Sequence, residues 1–216
     1  MLIIFFFDSM RSFTIVSNAY LSQDTPAYFH SDYRGGGNYK IRGTIEHAIF
    51  TLKGERFGVA DRDYADATDE IERILVEDIR LIAQAHNDKR FTVCVIPRSK
   101  VLPIHSVKRV FQRVIRRAVQ QIEMVADGVY YITRIKDTYT THKSSFDGGG
   151  NGPKPYPGIT LDTCTIADDV AGRDILLIDD IYTRTVNIDE DAIQALLNRG
   201  AKSVVFYSIG CTISRF

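Results

Sequence analysis

The sequence predicts an α/β protein with a mostly parallel sheet flanked by helices and a small N-terminal lobe. Three observations predict it. Buried-type apolar runs recur at residues 91–96 (FTVCVI), 174–178 (DILLI) and 203–209 (SVVFYSI). Amphipathic helical patterns separate them, over residues 104–125 and 188–199. Such runs carry no polar alternation, as expected for strands covered on both faces. The chain of 216 residues suffices for one core with a small appended lobe, divided here at 1–66 and 67–216.

In chain order, residues 2–7 (LIIFFF) read as a buried opening strand. Six apolar residues cannot span a bilayer, no basic residue precedes them, and Asp8 follows directly. No membrane association and a cytoplasmic location are therefore expected. A strand at 13–16 leads into a loop ending in Gly35, Gly36 and Gly37. A helix is expected over 39–53, with Ile41, Ile45, Ala48 and Ile49 on one side and Gly54 as its stop. A short strand at 57–60 follows. The next helix should be capped by Thr68 or Asp69, with Ile71, Leu75, Ile79 and Ile82 at helical spacing.

After the strand at 91–96, the helix 104–125 buries Val107, Val110, Phe111, Val114, Ile115, Ala118 and Ile122. Residues 128–135 (GVYYITRI) read as a strand. Segment 136–160, rich in Gly and Pro, reads as a flexible loop or lid with Lys136, His142 and Lys143 near its start. The remaining strands and helix complete the parallel pattern, and Gly200 closes the last helix.

Composition excludes several classes. Lysine plus arginine and aspartate plus glutamate each number 27, so bulk charge does not argue for nucleic-acid coating. Three scattered cysteines form no CxxC pair, and five histidines lack ligand spacing, which disfavours a disulfide framework or a structural zinc. Locally, charge does separate. Residues 98–117 hold Arg98, Lys100, Lys108, Arg109, Arg113, Arg116 and Arg117 with no acid, while 162–191 is strongly acidic. The face running from Lys108 to Arg117 is either solvated or a contact for nucleic-acid phosphates or an acidic protein partner.

Ligands of such sheets bind beyond the carboxyl ends of the strands. Arg98, Ser99 and Lys100 follow the first buried strand, a loop suited to an anion. Asp179 and Asp180 follow the second, and a hydroxyl-rich turn with Thr183, Arg184, Thr185 and Asn187 leads into a helix. Paired carboxylates can accept from the hydroxyls of a ribose, and a helix N-terminus offers N–H groups to a phosphate. Together they describe a ribose-phosphate site.

The run Ile175-Leu176-Leu177-Ile178-Asp179-Asp180-Ile181-Tyr182-Thr183 resembles the signature of type I phosphoribosyltransferases, nearest their ComF-like, amidophosphoribosyltransferase-related branch. Residues 41–49 with Lys53 and Gly54 resemble that branch's hood segment, and residues 132–138 resemble the stretch before its long loop. The resemblance implies a transferase that uses 5-phosphoribosyl 1-pyrophosphate and Mg²⁺ to glycosylate a nitrogenous acceptor. It implies Asp179 and Asp180 as catalytic residues on the ribose hydroxyls, and Thr183, Arg184, Thr185 and Asn187 on the 5′-phosphate. Arg98, Ser99 and Lys100 would face pyrophosphate. Mg²⁺ would be held through the ligand without direct protein ligation, or through water on Asp179 or Asp180. A homodimer is the expected assembly.

Three departures stand out. Thr185 replaces the phosphate-loop glycine, Thr183 stands where hypoxanthine–guanine enzymes carry an aspartate, and the zinc cysteines of many ComF-like proteins are absent. The alternative is a catalytically weak or inactive nucleotide-binding regulator or adaptor in DNA uptake, defence or repair.

Overall fold

The computed structural model describes residues 10–53, 61–103, 106–138, 158–184 and 186–213. The expected strands at 2–7 and 57–60, the Gly54 stop, Ile104, His142, Lys143, Thr185 and most of the 136–160 loop lie outside these residues.

The described residues form an α/β fold with a mostly parallel six-stranded sheet flanked by helices. The strands are β1 (Arg11–Ile15), β2 (Thr25–Tyr33), β3 (Thr92–Val95), β4 (Ala126–Asp127), β7 (Asp174–Tyr182) and β8 (Ser203–Thr212), in the order β1-β2-β8-β7-β3-β4. Only β1 runs antiparallel, against β2. A separate antiparallel pair, β5 (Ile132–Arg134) and β6 (Cys164–Ile166), lies beyond β4 in the chain. The helices are α1 (Ile45–Leu52), α2 (Asp61–Ala85), α3 (Val110–Val119) and α4 (Ile188–Asn198).

Alternation along the strands splits the core in two. Val93, Val95, Leu176, Ile178, Val205 and Tyr207 pack against α1, α2 and α3. Cys94, Ile175, Leu177, Val204 and Phe206 pack with α4 and the β5–β6 pair on the other side. Each interior strand therefore needs apolar residues at every position, which is why their sequences read as continuous runs. From β3 the chain crosses through α3 to β4, and from β7 through α4 to β8 on the opposite side. The strand order thus reverses between β3 and β7, and a ligand crevice belongs beyond their carboxyl ends.

Several elements differ from expectation. The helix expected over 39–53 starts only at Ile45. Gly43 takes a left-handed φ of +78°, and Thr44 caps the helix by accepting the His47 N–H at 3.2 Å. Ile41 consequently lies outside the helix and is 55% exposed. Helix α2 starts at Asp61, so it crosses the expected division at 66. Thr68 lies inside it and donates back to the Tyr64 carbonyl at 2.7 Å instead of capping.

Strand β2 emerges from what reads as loop, and it joins the N-terminal part of the chain to the main sheet by pairing with β8. Helix α3 is shorter than the predicted 104–125. After Val119 the chain tightens through i to i−3 bonds at Ile122 and Val125, which stay buried. The single strand expected at 128–135 is broken by a turn in which the Tyr131 N–H bonds the Gly128 carbonyl at 2.8 Å. Only Ile132–Arg134 remains a strand, and it pairs with β6, which the sequence pattern does not reveal. No helix among the described residues is long and apolar enough to cross a membrane.

Candidate functional site

Strand β3 stops pairing with β7 at Ile178, but β7 continues alongside β8 to Tyr182. Asp179 and Asp180 therefore sit within the strand and not after it, on a ledge overhanging the end of β3. The pleat sends neighbouring side chains to opposite faces. Asp180 forms a 3.0 Å ion pair with Lys53, the residue that terminates α1. Asp179 accepts the Asp180 N–H at 2.8 Å and meets Asp189 from the first turn of α4. Adjacent in sequence, the two acids answer to different helices.

The Asp179 and Asp189 side chains meet, a contact that by itself lowers Asp179, raises Asp189 and so favours the proton on Asp189. Burial, reinforced by the Asp180 charge, raises Asp179, and burial with the Asp179 charge raises Asp189 well above the ordinary carboxylate range. Asp189 is 3% exposed, and its Oδ1 finds no partner among the described residues.

The other acids of that turn are engaged inside the fold. Glu190 is buried and accepts from the Tyr182 hydroxyl at 3.2 Å; burial raises its pKa. Asp191 is buried and accepts the Gly158 N–H at 2.7 Å. In the predicted phosphate turn, Thr183 shares a 2.8 Å hydroxyl bond with Thr212, and the Val186 N–H closes the turn on the Thr183 carbonyl. Arg184 is exposed, and Asn187 caps α4 with no side-chain bond to the helix.

Across the crevice lies the loop 97–100 that leaves β3. The Arg98 guanidinium donates to the Lys53 carbonyl. Lys53 thus touches both halves of the site, one through its backbone and the other through its ammonium. Lys100 lies 3.6 Å from Asp137, and the Ser99 carbonyl accepts the Thr138 N–H at 2.8 Å. Lys136, just after β5, is exposed. Gly158 and Ile159, the return end of the predicted loop, are buried and not free-standing.

The basic run does not form one face. Arg109 is buried, bonding the Pro103 carbonyl at 2.9 Å and Gln112 at 2.8 Å. Arg113 bonds the Ser106 carbonyl, Arg116 pairs with Asp127 at 2.7 Å, and Arg117 pairs with Glu72 at 2.5 Å. Nor do the acids of 162–191 form an opposing side. Asp174 sits at the amino end of β7, held by Lys89 at 3.2 Å and Lys202 at 3.3 Å.

Sequence reasoning missed several residues the fold brings into play. Lys53 was legible only through the hood resemblance, and the roles of Arg134, Gly158 and Asp191 carry no local signal. A second buried network has none either: Asp78 of α2, fully buried, accepts from the Tyr207 hydroxyl at 2.7 Å and meets His30 Nδ1 at 3.0 Å. A groove of 640 Å³ on the outer side of α2, with Glu72, Arg73, Arg80 and Gln121 in its wall, shares no residue with the crevice. Among the described residues no group of three or more His, Cys, Asp or Glu is arranged to hold a metal. No protein-family model and no curated protein matches the chain.

Proposed function

We propose that the chain is a type I, ComF-like phosphoribosyltransferase that uses 5-phosphoribosyl 1-pyrophosphate and Mg²⁺ to glycosylate a nitrogenous acceptor. One observation carries the reading. At the reversal of strand order, the cationic loop with Arg98 and Lys100 and the acidic ledge with Asp179 and Asp180 meet, bridged by Lys53. A phosphoribosyl pyrophosphate needs that polarity: cations for its anionic groups and carboxylates for its diol.

In this reading Asp179 and Asp180 accept from the ribose hydroxyls, and the turn from Thr183 to Asn187 receives the 5′-phosphate at the N-terminus of α4. Loop 97–100 holds the pyrophosphate. The C1′–oxygen bond breaks with its electron pair leaving on pyrophosphate. The acceptor nitrogen forms the new C1′ bond and gives up its proton. Cations near the leaving group stabilise the charge it gains, and the ledge orients the sugar for attack.

The donors beside the ledge suit magnesium. The Asp179 and Asp180 carboxylates are hard oxygens, the donor type this ion takes. They would hold the ion through water, and when bound it supplies charge neutralisation to the pyrophosphate. Helix α1 serves as the hood in this reading, since Lys53 at its end reaches over to Asp180.

A second reading has its own support. Asp180 is engaged by Lys53 and Asp179 by Asp189, so a ligand must displace both partners. That favours a nucleotide-binding regulator or adaptor without turnover, while the dispersed pairing of Arg113, Arg116 and Arg117 lends the basic helix no support as its nucleic-acid contact. Pyrophosphate release with 5-phosphoribosyl 1-pyrophosphate, Mg²⁺ and a panel of bases separates the two. Turnover supports the transferase. Mg²⁺-dependent calorimetric binding without turnover, abolished in Asp180→Asn with the fold intact, supports the binder, and absence of binding rejects both.

A further inference from the structure

Arg134 closes strand β5 with its side chain 3% exposed, opposite the fully buried Cys164 of β6. Burial lowers its pKa, opposed by the nearby Cys164 and Asp137. Burying a cation costs several kcal/mol of solvation in general. Here the guanidinium is spent on two backbone carbonyls. Nε donates to Arg98 at 3.0 Å, and Nη1 donates to Gly158 at 2.6 Å. Gly158 is itself held from the other side, because its N–H donates to Asp191 in the first turn of α4.

The residues after Arg134 continue the same grip on loop 97–100. The Thr138 N–H bonds the Ser99 carbonyl at 2.8 Å, and Asp137 accepts the Val101 N–H at 2.8 Å. Three successive anchors therefore run along one side of the loop. In a trans peptide the N–H opposes its carbonyl, so drawing the Arg98 and Ser99 carbonyls toward β5 turns the following N–H groups the other way. Successive N–H groups aimed alike make an anion-binding concavity.

We propose that Arg134 is a positioning residue for an anion site on loop 97–100, with Asp137 as its second anchor and inorganic pyrophosphate as the ligand class. The proposal rests on the reading of this crevice as a phosphoribosyl pyrophosphate site. Arg134 acts through the loop backbone and touches no ligand. Its fork satisfies two carbonyls in fixed directions, which a lysine ammonium on a flexible stem does not reproduce.

Two variants test it by calorimetry with inorganic pyrophosphate and Mg²⁺, with ribose 5-phosphate as a control ligand for the ledge and the α4 turn. Arg134→Lys keeps the charge and loses the fork; pyrophosphate affinity is expected to fall about tenfold or more, and further than ribose 5-phosphate affinity, which Arg134 reaches only through Gly158 and Asp191. Asp137→Ala keeps Arg134 and removes a negative charge beside Lys100. Simple electrostatics predicts tighter pyrophosphate binding, whereas loss of the anchor predicts weaker binding. Weaker binding in Asp137→Ala supports the proposal even where Arg134→Lys fails to fold. Unchanged or tighter binding in Asp137→Ala overturns it, as does full retention of pyrophosphate affinity in a folded Arg134→Lys. A parent protein that binds neither pyrophosphate nor ribose 5-phosphate overturns the underlying reading and the proposal together. A parent that binds both, with unaffected variants, overturns the proposal alone.

Discussion

The carboxyl of Asp179 near the end of β7 is hydrogen-bonded to the carboxyl of Asp189 in the first turn of α4. Burial and the neighbouring acid favour the protonated form of the pair in the folded state, whereas the unfolded chain releases that proton in the ordinary acidic range.

The sign of the linkage follows. Both folded pKa values are raised, so the native state binds more protons than the unfolded state above about pH 4, and stability falls as pH rises from there toward neutrality. The slope from one proton is at most about 1.4 kcal/mol per pH unit. In Asp189→Asn the amide donates to Asp179 at any pH, and this component of the slope disappears. Urea unfolding of both proteins across that range checks it; parallel curves would show that the pair shares no proton.

Tyr207 and Asp78 make a second testable pair. Asp78 is fully buried, its Oδ1 has no partner among the described residues, and its Oδ2 takes the Tyr207 hydroxyl and His30. Tyr207→Phe deletes one of those two partners and should cost about 1–3 kcal/mol in urea unfolding. A change below about 0.5 kcal/mol would mean that water or His30 alone satisfies the acid.

Gly128 stands where the chain turns between β4 and β5. A Cβ there would lie 2.7 Å from Thr92 Cγ2 and 3.1 Å from the Val93 carbonyl oxygen. The backbone of β3 cannot yield without disturbing the pairing that carries loop 97–100. Gly128→Ala is expected to lower stability by about 1–3 kcal/mol, seen as a drop in Tm. An unchanged Tm would show that the turn gives way freely.

The cysteines should separate by reactivity. Burial pushes the Cys94 thiol up to about 12 and raises Cys164 as well, and both are fully buried. Cys211, at the end of β8, is only half-buried, and burial raises its thiol too. A thiol reagent should modify Cys211 first in the folded protein and reach Cys94 and Cys164 only on unfolding. Modification of all three at one rate would contradict this packing.

Elements whose pattern is local and unbroken were legible from the residues alone. The runs at β3, β7 and β8 are apolar at consecutive positions because both faces are covered, and the stripe from Ile71 to Ile82 holds one side of α2. The acidic ledge and the cationic loop were legible too, since residues at the ends of such strands stand out against their apolar neighbours.

How those residues are used follows from the packed fold. β2 was hidden because His30 and Asp32 look like loop residues until Asp78 and Arg11 answer them across the fold. Asp179 and Asp180 read as one pair, yet the pleat hands them to Asp189 and Lys53 on different helices. The cost of burying Asp189 and Arg134 depends on groups far along the chain, Asp179 for one and the Arg98 and Gly158 carbonyls for the other. Desolvation and partnership are properties of the packed molecule, and no local pattern encodes them.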